Sequence, residues 1–331
     1  MNFEFPDIAD FPENVEDRFP DDSLADHLFQ KGSNNFKLDL RELGYLCSDT
    51  MGLDKHENQI FEKQLKRILG SYRAWATPYR ARDDIESDKC FEDIDEDGIY
   101  SVKRDTSKLA SHLHGRIKKL LTSGTRANLK ELDRSINCND ALTMAMVSDF
   151  LGPYMGAATK YRGGDDLKVR SVVLHVSMPE DQHHYQTFKD CKTAPKLLNL
   201  HVDPKPGVMK AMIYLSEVGL ESGPFSYIRG SKNWDYDDIE RIFAWGNSVG
   251  NYCHTPTHRR VANSLPTRFR KNAIIGRLVQ DDTELSDFLL SQITQYTSQE
   301  ASVMIFDPSY GFHRGGLCDS GTRVNLQVVI K

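Results

Sequence analysis

The carboxy-terminal run Phe306-Asp-Pro-Ser-Tyr-Gly-Phe-His313-Arg-Gly-Gly-Leu-Cys-Asp-Ser-Gly-Thr-Arg323-Val-Asn-Leu-Gln-Val-Val-Ile330 decides the reading of the fold. Its final eight residues alternate. Arg323, Asn325 and Gln327 fall on one face of an extended strand, and Val324, Leu326, Val328 and Ile330 on the other. A polar face on a strand this apolar predicts that it lines a cavity rather than a packed layer. Upstream, a histidine follows the apolar strand that ends at Phe306, and a glycine-rich turn separates His313 from Arg323 ten residues on.

Working outward, short segments rich in β-branched and aromatic residues predict further strands at 170–176, 196–203, 208–216, 224–229 and 301–306. Apolar residues at helical spacing predict helices over 55–76, 106–122 and 139–151, the last ending at Gly152-Pro153. The expected architecture is α+β: a helical part at 31–164, then an antiparallel β core at 165–331 interrupted by a helical or irregular insertion at 233–300. Residues 1–30 form an acidic arm ahead of this single domain.

The segment Leu197-Leu-Asn-Leu-His201-Val-Asp203-Pro supplies the second anchor. Residues i and i+2 of a strand project from one face about 6–7 Å apart, so His201 and Asp203 can aim an imidazole and a carboxylate at one point. By itself a His-x-Asp pair is an ordinary surface feature. With His313 it makes the two-histidine, one-carboxylate set that holds non-haem Fe(II) and leaves open coordination positions. The planar fork of Arg323 suits a carboxylate, as an anchor for a dicarboxylate would require.

His201-x-Asp203, then His313, then Arg323 resembles the Fe(II)/2-oxoglutarate-dependent dioxygenases. Tyr214-Leu-Ser-Glu-Val, Ser222-Gly-Pro-Phe-Ser-Tyr-Ile-Arg-Gly-Ser-Lys and Ser148-Asp-Phe-Leu-Gly-Pro are similar to segments of the phytanoyl-CoA dioxygenase family within them. The resemblance covers residues 140–331. It implies a double-stranded β-helix, a jelly-roll or cupin-like core. It also implies His201, Asp203 and His313 as iron ligands, Arg323 as the anchor of 2-oxoglutarate, and O2 as the oxidant. The implied reaction releases succinate and CO2 while a small-molecule substrate is hydroxylated. A carboxylate at 203, where halogenating relatives carry a small residue, favours hydroxylation or another oxidation. Desaturation or cyclisation stays open, as does a non-catalytic jelly-roll scaffold.

Asn199, two residues before His201, and Tyr214 are the further expected cosubstrate contacts. Relatives write Pro-Gly-Ser-His where this chain has Arg229-Gly230-Ser231-Lys232, and many place a hydroxyl residue where Phe225 stands. Arg229 and Lys232, with Arg314, are therefore expected substrate contacts, fitted to an anionic substrate.

Charge and composition bound the rest. Forty-two basic residues against forty-eight acidic give a net charge of −6, and residues 1–30 alone hold nine acids and one base. This balance argues against a nucleic-acid partner. No apolar run reaches the roughly 18 residues of a membrane span. The start Met-Asn-Phe-Glu-Phe-Pro-Asp has no signal-peptide pattern, and six scattered cysteines fit a reducing cytoplasm. Residues 241–280 hold seven bases and no acid. They suit a lid over an acidic substrate, such as a coenzyme A thioester or a carrier-protein-bound acyl group, or a face that pairs with the acidic arm. Asp93–Arg104 starts like a calcium loop but lacks the twelfth-position Glu, so an acidic Asp-Gly turn is the expectation there.

Overall fold

The computed structural model describes residues 54–56, 59, 88–122, 134–163, 166–179, 196–197, 200–203, 208–233 and 281–331. The acidic arm, the basic stretch at 241–280 and nearly all of the expected 55–76 helix lie outside them. The chain divides into two units: one of residues 78–194, 207–233 and 292–331, the other of 1–77, 195–206 and 234–291.

Among the described residues, the first unit is built on two antiparallel sheets. Its strands are β1 (Ile99–Val102), β2 (Arg134–Asn137), β3 (Val169–Ser177), β4 (Met209–Tyr214), β5 (Phe225–Ile228), β6 (Ile293–Tyr296), β7 (Val303–Phe306), β8 (His313–Gly315) and β9 (Arg323–Ile330). The larger sheet has the order β1-β7-β4-β9-β3-β2 and the smaller β6-β5-β8. They are accompanied by the helices α1 (Lys89–Asp97), α2 (Ser107–Thr122) and α3 (Ala141–Arg162). This is the expected α+β class with a double-stranded β-helix core.

Alternation along the strands makes the layers. Val324, Leu326, Val328 and Ile330 pack with Val172, Leu174, Ala211 and Ile213 into one buried cluster that also takes Ile94, Leu113, Val147 and Leu151 from the helices. The opposite faces meet in a second cluster, where Phe225, Tyr227 and Tyr296 of the small sheet pack against Tyr214, Met304 and Phe306 of the large one. Each fully buried large side chain contributes on the order of 1.5–3 kcal/mol. The polar row Arg323, Asn325, Gln327 faces the same way as Tyr214 and Met212, because Asn325 lies opposite Tyr214 and Gln327 opposite Met212.

Helix α3 corrects one expectation. It runs through Gly152-Pro153 to Arg162, where Gly163 (φ 59°) ends it. Proline removes one ladder hydrogen bond. Here Leu151 before it and Ala157, Ala158 and Tyr161 after it are all buried, so packing holds both halves in line. Arg104 braces the break by donating to the Phe150 carbonyl and lying 4.5 Å over the Phe150 ring. At the start, Asp140 accepts from the Thr143 amide at 3.1 Å and from its hydroxyl at 2.8 Å, a helix cap. The Asp-Gly turn expected near 93–98 is the closing turn of α1, with Gly98 at φ 82° donating to the Ile94 carbonyl.

A second correction concerns 196–203. Lys196 and Leu197 sit in a turn in which the Leu200 amide donates to the Leu197 carbonyl at 3.0 Å, and His201 makes only an isolated bridge. Leu197 and Leu200 are buried although neither lies in a strand, so their apolarity does not report one. In the same unit the Lys196 amide donates to Asp281, and its ammonium pairs with Asp282 at 2.6 Å. Helix α4 (Glu284–Gln292) follows, where the Ser286 amide donates to the Thr283 hydroxyl.

Among the described residues, Cys90, Cys138 and Cys318 are buried free thiols. None of the described helices is long and apolar enough to cross a membrane.

Candidate metal centre

His313 opens β8, opposite Tyr227 of β5. It is buried in an aromatic setting, with ring centroids 5.1 Å from Phe306, 6.1 Å from Phe225 and 6.5 Å from Tyr227. Its Nδ1 lies 3.0 Å from the Gly311 carbonyl oxygen. A carbonyl only accepts, so Nδ1 is the donor in this bond and Nε2 is the ring nitrogen that carries the lone pair. His201 and Asp203 are partly exposed, with Nε2 of the histidine 3.4 Å from a carboxylate oxygen of the aspartate. The His201–Asp203 pair offers an imidazole and a carboxylate, and His313 a buried imidazole, and each is a donor suited to a divalent transition metal.

Arg323 opens β9 opposite Ser177 of β3. It is buried, with Nη2 donating to the Ser177 hydroxyl and Nη1 to the Gly316 carbonyl, both at 3.0 Å. Its Nε is also buried, and no group among the described residues accepts from it. A buried guanidinium with an N–H left over and no carboxylate on it is prepared for an anion. The turn between His313 and Arg323 is pinned to the Gly-Pro corner. Gly223 sits at φ 64°, and a Cβ there would collide with the Leu317 carbonyl oxygen.

The other expected contacts divide. Tyr214 is buried, and its hydroxyl donates to the Tyr296 carbonyl at 2.8 Å and accepts from the Phe225 amide at 2.7 Å. Its one proton is thus given to backbone, and the two bonds tie β4 to the smaller sheet. Burial pushes the phenol up to about 12. Arg229 donates through Nε to Asp97 at 3.0 Å, with Nη2 on the same oxygen. Lys232 stands 3.7 Å from Asp95 and 5.0 Å above the Tyr161 ring. Acids of α1 therefore already face both cations. Arg314 lies in register with Ser226, on the opposite face of β8 from His313, and burial pulls its guanidinium below the ordinary range. Asn199 lies outside the described residues. Sequence reasoning missed Ser177, Gly311 and Tyr227. Ser177 carries no local signal, since only the pairing of β3 with β9 brings it to Arg323.

No family model matches the chain, and no curated protein matches it. Solved structures do. The non-heme α-ketoglutarate-dependent carbocyclase SnoK from nogalamycin biosynthesis is 14% identical, with 76% of this chain and 86% of that chain covered and a TM-score of 0.41. EctD from S. alaskensis, solved with 2-oxoglutarate and 5-hydroxyectoine, is 14% identical over 77% of this chain and 83% of that one, again with a TM-score of 0.41. EvdO2 from Micromonospora carbonacea var. aurantiaca, complexed with 2-oxoglutarate, is 11% identical over 76% and 93%, with the same TM-score. At such identities and overlaps, the chemistry of this chain has to be argued from its own residues.

Proposed function

We propose that this chain is a non-haem Fe(II)/2-oxoglutarate-dependent oxygenase, of the phytanoyl-CoA dioxygenase type, that hydroxylates a small-molecule substrate. The observation that carries the reading is the donor set itself: His201 and Asp203, an imidazole and a carboxylate 3.4 Å apart, with the buried imidazole of His313. Arg323, buried with an unmet N–H, supports it as the anchor for the distal carboxylate of 2-oxoglutarate. The residues fit the group in charge as well. Fe(II) with one carboxylate keeps +1, and Arg323 adds +1, which offsets a dianionic cosubstrate in a site of low dielectric.

When bound, the metal, 2-oxoglutarate and O2 would supply oxidative decarboxylation to succinate and CO2, coupled to oxidation of a substrate C–H bond. The chain's own residues would do the rest. His313 presents Nε2, because its Nδ1 proton is held by Gly311. Ser177 and the Gly316 carbonyl orient the Arg323 fork. Phe225, Phe306 and Tyr227 keep water from the His313 side. The acid-free stretch 241–280 would favour an anionic or carrier-linked substrate. Desaturation or cyclisation by the same centre differs only in how the substrate is posed.

Anaerobic titration with Fe(II) and 2-oxoglutarate tests the proposal. Wild type should develop the charge-transfer absorption of a chelated cosubstrate. His313→Ala should bind no iron. Arg323→Ala should keep iron but need roughly 10–100-fold more 2-oxoglutarate, the loss expected for a charge-assisted pair. A wild-type protein that binds no iron would leave a non-catalytic jelly roll as the reading.

A further inference from the structure

The turn that delivers His313 is folded around a buried acid. Residues 307–312 join β7 to β8, and Asp307 is fully buried at the start of that turn. One carboxylate oxygen accepts from the Ser309 amide at 2.9 Å, and the other from the Tyr161 hydroxyl at 3.1 Å. The Asp307 amide donates to the Gly98 carbonyl at 3.0 Å. Its carbonyl accepts from the Gly311 amide at 3.4 Å and from the Tyr227 hydroxyl at 3.3 Å. That hydroxyl also lies 3.1 Å from the Gly98 carbonyl. Gly311 in turn offers its carbonyl to His313 Nδ1. The closure is tight: a Cβ on Gly311 would run into the Tyr227 hydroxyl.

Resting on the metal site proposed above, we propose that Asp307 is a positioning residue for His313. Its carboxylate bends the 307–312 turn so that the Gly311 carbonyl holds the Nδ1 proton and fixes the tautomer of the ring. The carboxylate closes the turn through the Ser309 amide and ties it to Tyr161 in the last turn of α3, and the same turn, through the Asp307 main-chain carbonyl and Gly311, ends on the ring of a ligand. Asp307 itself touches none of the proposed ligand atoms.

A tautomer measurement separates positioning from mere support. In the full-length, metal-free protein labelled with nitrogen-15 histidine, the His313 signals are those lost in His313→Gln. Wild type should show Nδ1 protonated and Nε2 bare. Asp307→Ala should shift His313 toward the Nε2-protonated form that free imidazole prefers, and weaken Co(II) binding roughly 10–100-fold, the usual cost of losing an outer-shell partner. Tyr161→Phe, which deletes one bond and adds no charge, should move both readouts the same way by less. A folded Asp307→Ala protein with unchanged tautomer and Co(II) affinity overturns the proposal. If Asp307→Ala does not fold, unchanged readouts in Tyr161→Phe overturn it instead. Wild-type protein that binds no Co(II) would refute the metal site, while the tautomer comparison would still decide the role of Asp307.

Discussion

A single hydroxyl shows how the interior handles polarity. Tyr214 is buried between the sheets with its phenol bonded to two backbone groups, and burial pushes its pKa from 10 up to about 12. The folded state therefore holds this proton more tightly than the unfolded state does. The stability it contributes is fully present below pH 10 and is lost as pH rises from 10 through about 12. That contribution is on the order of 2–3 kcal/mol. Alkaline unfolding followed by circular dichroism should show this loss in wild type, with a shallower fall in Tyr214→Phe. An identical slope in the variant would assign the loss to other groups. Legibility at this scale was uneven. His201, Asp203, His313 and Arg323 stand out in the sequence by residue type and spacing. Ser177 and Asp307 do not, because their meaning depends on partners 146 residues away in the chain.

Among elements, the strongly periodic ones were readable, and of the short strands only β5 and β7 were expected. β9 and α2 carry full alternation or several turns of apolar spacing. β1, β2, β6 and β8 have three or four residues each, too few to display a period, and exist because a longer strand pairs with them or packing holds them. Leu197 and Leu200 misled in the other direction, since a buried turn needs apolar residues as much as a strand does. Pro153 misled because its local cost is outweighed by packing on both sides. The cap of α3 offers a test at this scale. Asp140 serves the Thr143 amide and hydroxyl and pairs with Arg116 at 2.8 Å, and these partners hold its carboxyl well below the usual range. Asp140→Ala should lower stability, read as a lower urea midpoint with an unchanged slope. No shift in midpoint would mean that α3 is held by its buried face alone.

For the molecule as a whole, metal and fold should be linked. A ligand that binds only the folded chain stabilises it by about 2.7 kcal/mol at a hundred times its Kd. Co(II) with 2-oxoglutarate should therefore raise the Tm of wild type by a few degrees and leave His313→Ala unmoved. An equal rise in both would place the metal elsewhere. By itself, the sequence determined the α+β class and the polar row on the last strand, and it set out the residue pattern on which the proposed metal chemistry rests. Those features rest on residue type and on periods of two and 3.6, which are local. Only the tertiary structure decided that Arg323 is oriented by Ser177, that Arg229 and Lys232 face acids of α1, that Tyr214 gives its proton to backbone, and that Asp307 in the turn carrying His313 meets Tyr161 of α3. Each of these depends on strand register or on packing between distant segments, and burial then turns such a meeting into energy by removing the water that would otherwise satisfy the groups.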